Sequence, residues 1–316
     1  MVLTGASSGI GHATAIAFAR DGADVVLAAR GVPGLEAVAR ECLAAGADVL
    51  VHPVDVTDAA AVKALAEAAI ARFGAIDVWA NLVGVGAVGR FESVPMEAHR
   101  RVVEANLVGH MNGAHAVVGH FRSRRRGTLI NMISIGGFAP TPYAAAYVAS
   151  KFGLRGFSES LRAELAGVPE VHVCDVYPTF VDTPGLSHGA NYTGRRLEPP
   201  PPVVDPRTVA ARIVQLAHSP RATTTVGSIA WPARIASAVA PNLVGTVTAR
   251  FMDAALARAD PAPVTAGNLF EPSQGTGIDG GHRRRRALPT GIGLLALGVA
   301  AWLWSKRRPL PFGTKY

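Results

Sequence analysis

Cysteine and lysine are both scarce in this chain of 316 residues. The two cysteines, Cys42 and Cys174, lie in apolar stretches, so the sequence predicts neither a disulfide framework nor a metal site and fits a reducing compartment. Of the 31 Lys and Arg residues only four are lysine, and one of them is Lys151. Lysine and arginine differ in shape, hydration and acidity, so a lysine in an arginine-rich chain indicates a position that arginine does not suit.

Charged residues are also few, at 17% of the chain, and their distribution is uneven. Residues 282–316 contain eight Lys and Arg residues and no Asp or Glu, so the tail carries the whole formal charge of +8. A neutral body with a basic tail argues against a nucleic-acid-binding fold. The chain opens directly into a glycine-rich turn, so no N-terminal secretion signal is predicted.

A long apolar run occurs in the tail, where Ala287–Trp304 contains no charged residue. Eighteen helical residues extend about 27 Å, which is at the short end for crossing a bilayer core. Trp302 and Trp304 lie at one end of the run, as interfacial aromatic residues do. The pattern predicts a membrane anchor over 287–304; a core helix and an oligomer contact are the alternatives. Basic residues on both flanks leave the orientation open.

Before this tail, apolar runs alternate with helical periods. Strands are predicted at Met1–Thr4, Asp24–Ala29, Val49–Val54, Ile76–Asn81, Gly127–Ile133, Val171–Val176 and Thr223–Ile229. Helices are predicted at His12–Arg20, Val32–Ala45, Ala59–Phe73, Met96–Arg122, Ala144–Leu165 and Pro206–Ala217, followed by an amphipathic stretch over 231–258 that Pro241 interrupts. Continuous apolar strands alternating with helices predict an α/β fold with a doubly wound parallel sheet.

The turn after the first strand, Thr4–Gly11, contains three glycines and leads into a helix. Glycines let the backbone approach a pyrophosphate, and a helix N-terminus offers free N–H groups, so the turn predicts a nucleotide site. An ordinary tight turn is the alternative. Arg30 ends the second strand without a neighbouring carboxylate, which favours NADP(H) over NAD(H) unless Arg30 is simply a solvated surface residue. Asp55, after the third strand, could reach the adenine.

Tyr147 and Lys151 are four residues apart in a predicted helix and therefore lie on one face of it. An ammonium near a phenol lowers the tyrosine pKa from its usual value of about 10, which would make Tyr147 a proton donor near neutral pH. The pattern is short and also arises by chance. Ser134 lies at the carboxyl end of the preceding strand, where ligands bind in open α/β sheets.

Three other features have simpler interpretations. His110, His115 and His120 recur every five residues, which does not keep one helix face, so they are not predicted to be ligands. The arginines over 122–126 fit a helix C-terminus. Residues 184–204, with four consecutive prolines, form a long loop after a strand; a substrate lid and a plain surface excursion are both compatible with it.

Taken together, the ordered motifs over residues 1–230 resemble the short-chain dehydrogenase/reductase family, which has a Rossmann fold. The residues that carry the resemblance are the Thr4–Gly11 turn, Asn106, Ser134 and the Tyr147–Lys151 pair. The resemblance implies that Tyr147 is the general acid/base and that Ser134 binds the substrate oxygen. It implies that Lys151 binds the nicotinamide ribose and lowers the Tyr147 pKa, and that Asn106 holds a water for proton resupply.

The resemblance also implies a homo-oligomer and a cofactor site. Its implied cofactor contacts are Gly5, Ser7, Ser8, Gly9, Ile10, Gly11, Arg30, Asp55, Val56, Asn81, Tyr147, Lys151, Pro178, Val181 and Thr183. Two departures from the family pattern are visible. Asn81-Leu82-Val83-Gly84 stands where the family has Asn-Asn-Ala-Gly, and Pro178-Thr179 stands where it has Pro-Gly. We expect the first to affect local stability and the second to reshape the nicotinamide pocket.

The sequence therefore predicts a catalytic domain over 1–230, a helical extension over 231–259, a flexible linker over 260–286 and a transmembrane helix over 287–304. The expected function is NADP(H)-dependent interconversion of an alcohol and a carbonyl on a lipophilic substrate, with the catalytic domain on the cytoplasmic side of a membrane. A non-catalytic NADPH-binding scaffold or sensor is one alternative. A soluble enzyme whose tail mediates oligomerisation is another.

Overall fold

A parallel β-sheet organises the molecule. The structure, a computed structural model, describes residues 1–273 and 275–283. The strands are β1 (Val2–Thr4), β2 (Val25–Ala29), β3 (Val49–Pro53), β4 (Val78–Asn81), β5 (Ala87–Val88), β6 (Gly127–Met132), β7 (Val171–Pro178), β8 (Ala190–Asn191) and β9 (Thr223–Val226). In the described part of the chain, seven of them form one sheet in the order β3-β2-β1-β4-β6-β7-β9. This is a single Rossmann-like α/β domain, as the alternating pattern predicts.

Helices cover both faces of this sheet. They are α1 (Gly9–Arg20), α2 (Val32–Ala44), α3 (Ala59–Phe73), α4 (Met96–Val103), α5 (Gly109–Arg124), α6 (Ala145–Glu164), α7 (Gly185–His188), α8 (Pro206–His218), α9 (Ala230–Val239) and α10 (Pro241–Arg258). One apolar core lies under α1, α2 and α8, and a second lies under α3, α5 and α6. Strands such as β2, buried along their whole length, account for the apolar runs without alternation.

The strand order reverses between β1 and β4, which are neighbours in the sheet but not in the chain. In open α/β sheets this reversal opens a crevice at the carboxyl ends of the strands, where ligands bind. β1 ends at Thr4, immediately before the glycine turn, and β6 ends at Met132, two residues before Ser134. The topology therefore brings the two predicted halves of the site to one edge.

Two regions differ from the helix and linker predictions. The helix expected over Met96–Arg122 is α4 and α5 joined by a π-helical turn at Glu104–Val108. The segment expected as a flexible linker is, over residues 260–273 and 275–283, packed against the body and forms one compact unit with it. The break at Pro241 between two helices is confirmed.

The predicted membrane helix, 287–304, lies outside the described residues. Among the residues that the structure does describe, none of the helices combines the length and apolar character needed to span a bilayer.

Candidate active site

A cleft of about 460 Å³ opens at the carboxyl ends of the central strands. It is bounded on one side by the glycine turn and on the other by Ser134, Tyr147 and Lys151. Most of the sequence-predicted cofactor residues line it, namely Gly5, Ser7, Ser8, Gly9, Ile10, Gly11, Arg30, Asp55, Val56, Pro178, Val181 and Thr183. One cleft therefore unites motifs that are more than a hundred residues apart in the chain.

The glycine turn is shaped by close backbone contacts. Gly5 has a φ of +74°, and a Cβ on Gly11 would lie 2.0 Å from the carbonyl oxygen of Gly5. Only glycine permits this approach, which aims the N-terminus of α1 at the cleft. The cradle therefore fits a dinucleotide pyrophosphate.

Tyr147 lies in the first turn of α6, and Ser134 follows β6. Ser134 has a φ of +138°, a strained conformation for a residue with a side chain, and its Oγ accepts a hydrogen bond from the Gly136 N–H at 3.2 Å. A Cβ on Gly136 would lie 3.1 Å from the Tyr147 ring and 3.7 Å from the Ser134 Oγ, so the two side chains converge above this glycine. Backbone strain of this kind is concentrated at functional sites.

Lys151 is buried one helical turn after Tyr147, with 1% of its surface exposed. Its Nζ donates to the Met132 carbonyl oxygen at 2.8 Å and lies 5.8 Å from the centroid of the Tyr147 ring. Burial lowers the pKa of Lys151 to about 7, because the charged form loses its hydration.

The Tyr147 phenol differs from the sequence-based expectation. Burial raises the pKa of Tyr147, and the hydrogen bond with Ser134 acts in the opposite direction. The predicted lowering by Lys151 is therefore not found in this arrangement. Desolvation is the larger cause, because burial removes water from the phenolate more than the Ser134 hydroxyl compensates for it.

Asn106 lies in the π-helical turn and is fully buried. Its amide accepts a hydrogen bond from the Val85 N–H at 2.9 Å, donates to the Val85 carbonyl at 2.8 Å and contacts the Ser150 Oγ at 3.3 Å. Asn106 thus fixes the loop after β4 to α6, the helix of Tyr147. A π-turn inside a helix often marks a functional site.

Asn81, predicted as a cofactor contact, lies beneath the cleft instead of lining it. Its side chain accepts from the Trp79 indole N–H at 2.8 Å and donates to Asn131 and to the His110 carbonyl. His110 itself bonds the Val83 carbonyl, and burial lowers its pKa to about 3. This buried polar network supports the cleft floor.

Just beyond β3, Asp55 pairs with Arg101 and accepts from the backbone N–H and side-chain hydroxyl of Thr57 at 3.0 and 2.8 Å. Arg101 also donates from Nε to the Leu269 carbonyl at 2.9 Å. Sequence reasoning missed Arg101, since nothing local distinguishes it from other helical arginines. Within the described ranges, no group of three His, Cys, Asp or Glu residues could hold a metal ion.

Arg30 lines the cleft at the end of β2, but its terminal nitrogens are bonded to the chain itself. Nη1 donates to the carbonyls of Leu269 and Phe270 at 3.1 and 3.0 Å, and Nη2 donates to those of Asn268 and Glu271 at 2.5 and 3.2 Å. Sequence reasoning also missed these residues, because contacts across about 240 positions leave no local signal.

At the opposite end, Thr183 lies against Gly9, where a Cβ would approach its side chain within 3.1 Å. Thr179, which stands where the family has glycine, is 6% exposed, and its Oγ1 would lie 2.2 Å from a Cβ on Gly227. Gly227, at a φ of +111°, therefore provides the space that Thr179 occupies.

The loop over residues 184–204 is anchored beside the cleft, since β8 pairs in parallel with β5. The cleft wall on this side is apolar, with Val85, Val88, Phe180 and Leu186 among its lining residues. Tyr147 packs against the small apolar cluster beneath it. The loop over 184–204 contributes Leu186 to this apolar wall, and the other three side chains come from the segments around β5 and after β7.

Comparison with known proteins identifies the family. Residues 1–190 match the family model for short chain dehydrogenases. The chain is 33% identical over 255 residues to the uncharacterized oxidoreductase YxnA of Bacillus subtilis, covering 80% of this chain and 72% of that protein. It is 36% identical to human dehydrogenase/reductase SDR family member 7, over 56% of this chain and about half (53%) of the human protein. It is 40% identical to 1-deoxy-11-beta-hydroxypentalenate dehydrogenase of Streptomyces avermitilis, over 61% and 73%.

Two solved structures have the same architecture. An alcohol dehydrogenase from the archaeon Thermococcus sibiricus, complexed with 5-hydroxy-NADP, superposes with a TM-score of 0.62 at 29% identity over 71% of this chain and 93% of that one. A metagenomic short-chain oxidoreductase in complex with NADP gives a TM-score of 0.61 at 31% identity, over 72% and 94%. With the family model matching more than half of the sequence, the chain belongs to the short-chain dehydrogenase family of oxidoreductases.

Proposed function

We propose that this protein is an NADP(H)-dependent oxidoreductase that interconverts an alcohol and a carbonyl on a lipophilic substrate, with Tyr147 as the general acid/base. The observation that carries the proposal is the convergence of Ser134, Tyr147 and Lys151 on a cleft whose other wall is a glycine cradle. A proton-handling group beside a dinucleotide site is the arrangement that hydride transfer requires.

The cofactor assignment rests on the cradle and on Arg30. The turn around Gly5 and Gly11 fits a pyrophosphate, and Arg30 lies at the ribose end, where an arginine accommodates a 2′-phosphate. The complexes of the two structural relatives with NADP and 5-hydroxy-NADP support this preference. A bound nicotinamide would supply or accept the hydride.

Each residue then has a distinct role. In the reducing direction Tyr147 gives its proton to the substrate oxygen, and in the oxidising direction it takes that proton back. Ser134, whose Oγ converges with the Tyr147 ring above Gly136, binds the same oxygen and fixes its position. Lys151 supplies positive charge behind the phenol, held in place by the Met132 carbonyl. Asn106 holds the loop at Val85 against α6, so it acts as a positioning residue.

The lipophilic substrate is inferred from the wall beside Tyr147. Val85, Val88, Phe180 and Leu186 offer apolar surface to the cleft that Tyr147 also lines. An apolar pocket with a few convergent polar groups selects a ligand by its hydrocarbon body and orients it by one oxygen.

A screen of lipophilic ketones and aldehydes, read out by the loss of NADPH absorbance and run in parallel with NADH, tests the function. We expect turnover with NADPH on at least one apolar ketone and weaker turnover with NADH. NADPH binding without turnover across the panel would contradict the proposal and favour a non-catalytic sensor.

Membrane anchoring by residues 287–304 is part of the proposal and rests on the apolar run alone. We expect the full chain to sediment with membranes and to require detergent for extraction, and a chain ending at residue 286 to stay in the supernatant. Leu295→Arg should weaken membrane association, because an arginine costs about 3 kcal/mol at the centre of a spanning helix. An intact chain that stays in the supernatant without detergent would contradict the anchor.

A further inference from the structure

The segment after α10 returns across the mouth of the cleft. We refer to residues 260–273 and 275–283 as the strap. Asn268, Leu269, Pro272, Ser273, Gly275 and Thr276 of the strap line the same cleft as the glycine turn. The strap therefore forms a wall of the proposed dinucleotide site although it lies far along the chain from the motifs of that site.

The strap binds Arg30, the side chain that would bind a 2′-phosphate. An arginine has five N–H donors, and four strap carbonyls accept from the two terminal nitrogens of Arg30. A phosphate placed there would meet the negative ends of four carbonyl dipoles. The strap in this position and a 2′-phosphate therefore cannot share Arg30.

The strap also accepts a hydrogen bond from a backbone N–H of the glycine turn. The Gly9 N–H, at the start of α1, donates to the Gly277 carbonyl at 2.8 Å. This N–H is one of the free donors that make a helix N-terminus suitable for a pyrophosphate. Thr276 reaches Gly34 beside it, where a Cβ would lie 3.2 Å from the threonine methyl. Carbonyl oxygens of the strap thus accept hydrogen bonds at both ends of the cleft where a phosphate would bind.

The strap is held at two points, at Leu269 beside the cleft and at its far end over residues 279–283. Leu269 is fully buried in the small cluster that includes Ala190 of β8. At the far end Asp279 forms a two-pronged ion pair with Arg207 at 2.8 and 2.9 Å, and the Gly280 N–H donates to the Asp182 carbonyl at 3.0 Å. The pair with Arg207 is exposed and weak, whereas Asp182, which is 2% exposed, accepts from the His282 N–H at 2.7 Å and from the Arg283 Nε at 3.0 Å. The far end therefore stays attached, and the stretch over residues 268–277 is the part that can move at a modest cost.

We propose that the strap is an autoinhibitory gate of the dinucleotide cleft: it and NADP(H) exclude each other by competing for Arg30 and the Gly9 N–H. The inference rests on the proposed function, since it concerns the cofactor of that same site. When the strap opens, Arg30 and the Gly9 N–H become available together. The apparent affinity for NADP(H) equals the intrinsic affinity multiplied by the fraction of molecules in which the strap is open.

A reversible covalent lock tests the gate. A Cβ on Gly31 would lie 3.4 Å from the Pro272 Cβ, close to the separation that a disulfide spans, and Cys42 and Cys174 are buried. The double variant Gly31→Cys/Pro272→Cys should close the strap when oxidised and release it when reduced. The full chain would be titrated with NADPH, followed by NADPH fluorescence, in both states, with each single cysteine variant as a control.

The gate predicts that the oxidised double variant loses NADPH binding by at least about tenfold, that reduction restores it, and that saturating NADPH slows formation of the disulfide. An oxidised variant that binds NADPH as tightly as its reduced form would overturn the gate. Wild-type protein and reduced variants that bind no NADPH would overturn the proposed function itself, so the two failures are distinguishable.

A second variant acts in the opposite direction. Asp279→Asn removes the ion pair with Arg207 at a position outside the cleft, and it should tighten NADPH binding severalfold by favouring the open strap. Asp253→Asn, on exposed α10 outside the strap, is the matched control and should leave the affinity unchanged. A weaker affinity in Asp279→Asn would overturn the gate, because it would mean that the closed strap assists binding.

Discussion

The Nζ of Lys151 lies 5.8 Å from the centroid of the Tyr147 ring and is held there by the Met132 carbonyl at 2.8 Å. Both side chains lie in an environment that opposes their charged forms, so burial lowers the pKa of Lys151 and raises that of Tyr147. Burial therefore keeps the Tyr147 phenol protonated at neutral pH. A protonated phenol is the form that can donate a proton, and the neighbouring amine has a pKa of about 7.

The burial of Lys151 should make stability depend on pH. Its pKa is 10.5 in the ordinary state and about 7 in the folded protein. Below pH 7 both the folded and unfolded states bind the proton, and the folded state bears the full cost of a buried charge. Between pH 7 and 10.5 only the unfolded state keeps it, so the free energy of unfolding rises with pH by up to about 1.4 kcal/mol per unit.

Denaturant unfolding of wild type and Lys151→Met from pH 7 to 10 measures this contribution. We expect the wild type to gain stability relative to the variant as the pH rises. Lys63→Met, at a side chain that is 74% exposed, is the control and should follow the wild type. Parallel curves for wild type and Lys151→Met would show that the ammonium is not desolvated.

Gly227 and Thr179 should be energetically coupled. Gly227→Ala places a Cβ 2.2 Å from the Thr179 Oγ1 at a φ of +111°, so it adds a steric clash to backbone strain. We expect a loss of about 2–4 kcal/mol in the free energy of unfolding. Gly46→Ala, at a φ of +95° with open space around it, isolates the strain alone.

A double-mutant cycle completes this test. Thr179→Gly in the same chain as Gly227→Ala should recover about 1 kcal/mol or more, since it removes the clash and leaves the strain. Additive losses in the double variant, or a Gly227→Ala loss no greater than that of Gly46→Ala, would contradict the coupling.

Arg30 should determine the preference for NADPH over NADH. Charge-assisted hydrogen bonds contribute about 1.5–3 kcal/mol, so Arg30→Ala should reduce the ratio of NADPH to NADH affinity by about 10- to 100-fold. NADH binding should not weaken, because the same substitution also releases the strap from its hold on this side chain. Arg40→Ala, at an exposed position of α2, is the control. An unchanged ratio in Arg30→Ala would assign cofactor choice to other residues.

The parts of the fold that could be predicted from the sequence are those determined by patterns within short stretches of residues. Strands such as β2 are apolar along their whole length, and the glycine turn has a strict local shape, so both could be identified from short windows. Tyr147 and Lys151 share a helix face because the helical period dictates it. Once those elements are assigned, the topology of a doubly wound sheet brings them to one edge.

The parts that the sequence did not predict depend on contacts between distant residues. The strap is rich in proline and glycine. That composition fits a flexible linker, and it fits equally an irregular segment whose carbonyls accept hydrogen bonds from distant residues. Nothing near Arg30 indicates that its partners lie about 240 positions away. The direction of the Tyr147 pKa was missed for a related reason, since the spacing of Tyr147 and Lys151 reveals their proximity but not how deeply both are buried.

Turnover by Tyr147→Phe tests most directly the proposal that Tyr147 transfers the proton to and from the substrate oxygen. General acid/base groups contribute about 10²- to 10⁴-fold, so kcat for NADPH-dependent reduction should fall by that factor while the dissociation constant of NADPH stays within about twofold. Tyr143→Phe, whose phenol bonds Asp253 away from the cleft, should keep wild-type turnover. Turnover by Tyr147→Phe within a few-fold of wild type would contradict the account.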